Sequence, residues 1–223
     1  MGRIILTLAA PWSKAPAFDT PLHLDYGPPV PALVDEFGDL GRRAGTVGKG
    51  DLVTLRGHQG VLTATAEFDA PGDLTHARAG ARLALDAVAQ GALGLYVETA
   101  MKVLMPASLE GLDPTDATSL FHLFVEVMGD AGHILTEGMQ AFDLPDVIVH
   151  YAGREQVAAA QGTAFGLAAR MVCDRYRPVA DGSFRNSESA PRYLMSLEPP
   201  PADAEPDDPF VNARGSVVLT PAP

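Results

Sequence analysis

Residues 60–99 read GVLTATAEFDAPGDLTHARAGARLALDAVAQGALGLYVET. Leu62, Ala64, Ala66 and Phe68 alternate with Thr63, Thr65 and Glu67, the period of two that turns one face of a strand to a core and the other to water. The period then changes. Asp73 stands where a helix N-cap belongs, and Leu74, Ala77, Ala81, Ala84, Leu85 and Val88 follow at the 3–4 spacing of an apolar stripe. Gly91 is placed to end that helix in a left-handed cap. Leu93 to Thr99 returns as a strand apolar enough for the interior of a sheet. Strand, helix and strand in succession predict an α+β fold with a helix laid on a sheet.

Working outward, Ile4 to Ala10 reads as a first strand, because Pro11 and Trp12 cut the apolar run too short for a signal peptide. Residues 11–50 are rich in proline and glycine, leaving room for a short element around Ala32 to Leu40. Asp51 to Arg56 has the look of another strand. From Ser119 to Met128 the odd positions Phe121, Leu123, Val125 and Val127 are apolar, which predicts a strand. A hairpin through Gly129-Asp130-Ala131-Gly132 then returns as His133 to Glu137, and Asp146 to His150 is a further short strand. A second main helix spans about Arg154 to Tyr176, its inner stripe formed by Val157, Ala160, Ala164, Leu167, Ala168, Met171 and Val172. Ala158, Gly162 and Gly166 recur every four residues, so a neighbour can approach its backbone closely, and packing on a sheet is expected. Tyr193 to Leu197 and Ser216 to Thr220 close the chain as strands, separated by an acidic, proline-rich loop from Glu198 to Pro209.

The expectation is a mixed, mostly antiparallel sheet covered by two main helices, in one α+β domain spanning 1–223. The order β-β-helix-β is read over 51–99 and again over 119–197, which suggests two similar halves, 1–112 and 113–223.

A net charge of −12, with only Lys14, Lys49 and Lys102 as lysines, excludes a sequence-independent grip on nucleic acid and attraction to an anionic membrane. It favours a basic protein partner. Cys173 is the only cysteine, so no internal disulfide forms and a cytoplasmic setting is expected. No run approaches the roughly 18 apolar residues of a membrane span.

Most motifs that carry chemistry are missing, and no cofactor is expected. GRRAGTVGKG at 41–50 fails as a phosphate loop, since Arg43 stands where glycine is needed and Gly50 where Ser or Thr is needed. The most suggestive group lies on the hairpin. If Asp130 and Ala131 form the turn, Met128 pairs with His133, Glu126 with Leu135 and Phe124 with Glu137. His122, Glu126, His133 and Glu137 then share one face and become candidate metal ligands or proton carriers. A turn one residue longer or shorter separates them, and a solvated strand face explains the same pattern. Trp12 and Glu98 are candidate partner-binding residues, the first as an anchor ring, the second as a carboxylate at a strand exit. His58 reads as a loop histidine, and Cys173 has no setting for a reactive thiolate.

Two stretches carry a resemblance: HQGVLTATAEF with GALGLYVETAMKVLMP, within 58–106, and HILTEGMQAFDLPDVIV, 133–149, followed by an alanine-rich helix and the turn Asp181-Gly182. Over residues 58–182 the chain resembles a bacterial domain-of-unknown-function family of α+β proteins. The resemblance implies a mixed α+β fold and brings no catalytic residues with it. Composition and motifs together lead to three expectations: first, an acidic, non-enzymatic factor that holds a basic protein, such as an immunity or accessory protein; second, a small metal-dependent or acid–base enzyme using the hairpin face; third, a structural component of a larger assembly.

Overall fold

The run GRIILTLAA becomes β1 (Gly2–Ala10), the middle strand of a five-stranded antiparallel sheet. Its β-branched and leucine side chains suit a strand covered on both faces, and only Arg3 and Ile5 escape burial. It pairs on one side with β3 (Gly60–Phe68), Leu6 opposite Ala64, and on the other with β4 (Gly94–Val97), Leu8 opposite Leu95. Outside these lie β2 (His23–Gly27) and β5 (Lys102–Leu104), giving the order β2-β3-β1-β4-β5. This computed structural model describes residues 1–130, 132–203, 205, 208 and 210–222.

Each face of this sheet has its own cover. Ala9, Val61, Tyr96 and Val103 form a smaller core with Leu33, Val34 and Phe37 of α1 (Pro31–Ala44) and Leu55 of α2 (Lys49–Leu55). On the opposite face Ile4, Leu6, Leu8, Leu62 and Ala64 meet α3 (Thr75–Ala89) through Ala77, Ala81 and Ala84. Gly80 permits the close approach, because a Cβ there would lie 2.9 Å from the Phe124 ring and 3.2 Å from Leu6.

The second sheet follows the order β6-β7-β8-β11-β10-β9, from β6 (Glu126–Asp130), β7 (His133–Glu137), β8 (Asp146–His150), β9 (Ser183–Phe184), β10 (Tyr193–Glu198) and β11 (Ser216–Pro221). All pairings are antiparallel except β8 with β11, where Val147 lies opposite Val217. Helix α5 (Val157–Cys173) packs on β7 and β8. Its Ala160, Ala164, Leu167 and Met171 share a core with Ile134, Val149 and Leu219. Helix α4 (Ala117–Phe124) touches both α3 and α5, so one core runs continuously from the first sheet to the second.

The α+β class, the strands read at 60–68, 133–137, 146–150, 193–197 and 216–220, and both main helices are present. Corrections concern the rest. There are two sheets rather than one, and α1, α2 and α4 join the two main helices. Asp51 to Arg56 is helical: Asp51 accepts a hydrogen bond from the Gly48 N–H at 2.8 Å, capping α2 from within. Ser119 to Phe124 is helical too, with Asp116 accepting from the Ser119 N–H at 2.8 Å. Leu120, Phe121, Leu123 and Phe124 are buried while Thr118 and His122, one turn apart, are exposed, so the segment does have a helical period, but over two turns it is too short to outweigh the alternation of Phe121, Leu123, Val125 and Val127. With 51–56 helical, residues 51–99 run α2-β3-α3-β4, so the repeated β-β-helix-β order is not confirmed. Asp73 accepts from Thr75 in an Asx turn one residue ahead of the N-cap, Leu74. The small residues of α5 receive Asn186, which donates to the Gly162 carbonyl at 2.6 Å and lies over Gly166, rather than a sheet. Ala131 of the hairpin turn and residues 204, 206, 207 and 209 of the acidic loop lie outside the described residues.

Candidate functional site

Strands β5 and β6 are both sheet edges, and a cleft of about 740 Å³ opens between them. Leu40 and Ala44 near the end of α1, Met101, Val103, Met128 and Leu135 supply its apolar walls. Arg43, Lys102, Glu126 and Glu137 supply its charges. The chain reaches β5 through a tight turn, Glu98–Ala100, that ends on Met101 in the left-handed conformation.

The floor is the outer face of the hairpin. Its register places Glu126 opposite Glu137, Met128 opposite Leu135 and Asp130 opposite His133. This is a shift of two residues from the expected pairing: the ladder runs on to Asp130 opposite His133, and Gly132 has φ +90°. An even shift preserves the faces. Glu126 and Glu137 therefore remain together and become direct cross-strand neighbours.

Like charges opposed on one face repel. Burial first, and the Glu126 carboxylate second, push the Glu137 carboxyl above its ordinary range. One of its oxygens, Oε2, is buried without a hydrogen-bond partner among the described residues. Glu126 is better supplied, since the Lys102 ammonium lies 3.1 Å from its Oε2. The same ammonium donates to the carbonyls of His122 at 2.8 Å and Val125 at 3.1 Å. These are orphan carbonyls at the C-terminus of α4, where a cation is favoured. Lys102 thus ties edge strand β5 to α4 and to the hairpin.

Tyr96, on the α1-covered face of β4, has its phenol pushed up to about 12, by burial and then by the carboxylates of Glu36, Glu98 and Glu137. Glu98 follows β4 and accepts a hydrogen bond from the Thr7 hydroxyl, so it has a partner at the strand exit.

The four hairpin candidates separate into three places. Glu126 and Glu137 line the cleft. His133 shares their face at the far end of β7, opposite His150 of β8, with ring centroids 6.1 Å apart. His122 is not on the hairpin at all: α4 sets its ring 5.6 Å from that of Phe165 on α5. Among the described residues, no group of three or more His, Cys, Asp or Glu side chains is arranged to hold a metal. Trp12 is half-buried, its indole N–H donating to the Gln90 carbonyl at 2.7 Å and its ring packing on Phe18.

His58 lies in the loop between α2 and β3, as expected, and is buried there: Nε2 accepts from the Val30 N–H at 3.0 Å, which leaves Nδ1–H to donate to the Leu55 carbonyl at 2.8 Å. Burial pushes the Cys173 thiol up, as its lack of cationic support led one to expect. Sequence reasoning passed over Lys102 and Arg43 in the cleft. Lys102 carried a usable signal, being a lone lysine inside the apolar string from Ala100 to Met105.

Two further acids, Asp143 after the turn Met139–Phe142 and Asp146 at the start of β8, are held in hydrogen-bond networks. Arg214 grips Asp143 with two bonds of 2.7 Å, and the Ala70 N–H adds a third at 2.8 Å. Burial would raise the Asp143 carboxyl, but the guanidinium outweighs it and holds the group below its ordinary range. Among the described residues, no cation pairs with Asp146. Burial raises it to about 7, against hydrogen bonds from Asn212, the Met139 N–H and Thr136.

No protein-family model, no curated protein and no solved structure matches this chain.

Proposed function

We propose that this chain is a binding protein, and that its cleft receives a basic segment of a protein partner. One observation carries the reading: Glu137, opposed to Glu126 in an apolar-walled cleft between two strand edges, keeps a buried carboxylate oxygen without a partner among the described residues. A lysine or arginine side chain would satisfy that oxygen and offset the repulsion between the two glutamates. The apolar walls would take up the rest of the segment, and the chain's net charge of −12 would speed the encounter. An immunity or accessory role, holding a basic protein, is the setting such chemistry suits.

The test is affinity capture from native lysate, with the captured species identified and measured again as a purified protein. A basic partner is expected, with binding that weakens as salt rises and falls about tenfold or more in Glu137→Gln. Partners captured equally well by wild type and by a double Glu126→Gln, Glu137→Gln variant would refute it.

A second reading rests on the same carboxyl. With its proton affinity raised and Lys102 paired beside it, Glu137 has the properties of a general acid. A substrate small enough for the cleft, turned over by wild type and not by Glu137→Gln, would favour this enzyme over the binding factor.

A further inference from the structure

Independent of the cleft, the second sheet holds a pair of imidazoles that no packing role explains. His133 and His150 are directly opposed on β7 and β8, so both side chains leave the sheet on the same face, away from α5. His133 is half-buried and His150 exposed. Neither ring is hydrogen-bonded or ion-paired among the described residues. Other histidines differ: His58 spends both ring nitrogens on backbone groups, and His122 lies between Phe121 and Phe165.

We propose that His133 and His150 form a two-imidazole chelate for one divalent transition-metal ion, with water completing the coordination. Imidazole suits zinc, nickel and copper, whereas magnesium and calcium require oxygen donors that this pair lacks. The rings stand 6.1 Å apart by centroid. Two imidazoles sharing an ion through metal–nitrogen bonds of about 2 Å bring their centroids to about 5 Å, so the pair must close by about 1 Å. Rotation of two partly exposed side chains supplies that movement without disturbing the backbone pairing. With two protein ligands, the site is weaker than a four-ligand structural centre and the fold does not depend on it.

The experiment is calorimetric titration of the untagged full-length chain with nickel and zinc chlorides, with magnesium chloride as control. One transition-metal ion per chain is expected, with no magnesium binding. His133→Ala and His150→Ala should each weaken nickel binding about tenfold or more, while His23→Ala, an exposed histidine on β2, leaves it unchanged. Circular dichroism of each variant shows that the fold is retained. Absence of stoichiometric nickel or zinc binding in wild type overturns the proposal, as does wild-type affinity in either the His133 or the His150 variant.

Discussion

Glu137 concentrates the tension in the cleft within a single side chain. Its folded-state proton affinity is raised, so the group favours folding at low pH and opposes it once pH passes from the unfolded value toward the folded one. Glu137→Gln removes the charge and supplies an amide that Glu126 can accept from. The variant should be more stable than wild type at pH 7.5 by about 1 kcal/mol, the scale of one relieved unsatisfied polar atom, as read by chemical denaturation. An equal or lower stability contradicts the strain assigned here. Arg214 has the opposite character. Replacing it with alanine leaves the fully buried Asp143 carboxylate with only a backbone N–H and the chain terminus, and should cost about 3 kcal/mol. A loss below about 1 kcal/mol would mean that Asp143 is neutral in the fold.

At the scale of elements, the two glutamates were legible because strand periodicity survives an even register shift, whereas the two histidines depended on which element each belongs to. His122 moved off the hairpin when 119–124 proved helical, for a helix of two turns is too short for its exposed stripe, Thr118 and His122, to stand out against the alternation of Phe121, Leu123, Val125 and Val127. Lys102 has the converse history, passed over in the chain and central in the fold. Lys102→Met removes its bonds to the α4 carbonyls and to Glu126, and should cost about 2 kcal/mol. Hydrogen exchange should show the loosening first in β5 and at the end of α4. Uniform exchange changes across both sheets would contradict the local role.

Across the whole molecule, three acids with shifted proton affinities set the dependence of stability on pH. Asp143, with its depressed folded value, contributes stability that is present above its unfolded value and is lost as pH falls through the folded one. Asp146 and Glu137, both raised, contribute in the reverse sense: for Asp146 the loss runs from about 4, the unfolded value, up to about 7. The excess of acidic over basic residues adds self-repulsion in the same direction as pH rises. Denaturant midpoints should therefore be higher at pH 5 than at pH 8, and the difference should shrink in Asp146→Asn. A flat profile between those values would refute the assignment. The strands at 60–68, 133–137, 146–150, 193–197 and 216–220 and both long helices follow from the sequence by itself, as does the shared face of Glu126 and Glu137, because alternation and stripe are properties of chain neighbours. Only the tertiary structure decided the second sheet, the helical state of 51–56 and 119–124, the meeting of His133 with His150, and the proton affinities of Glu137, Asp143 and Asp146. Those depend on groups far apart in the chain, and burial, charge and coordination act through space.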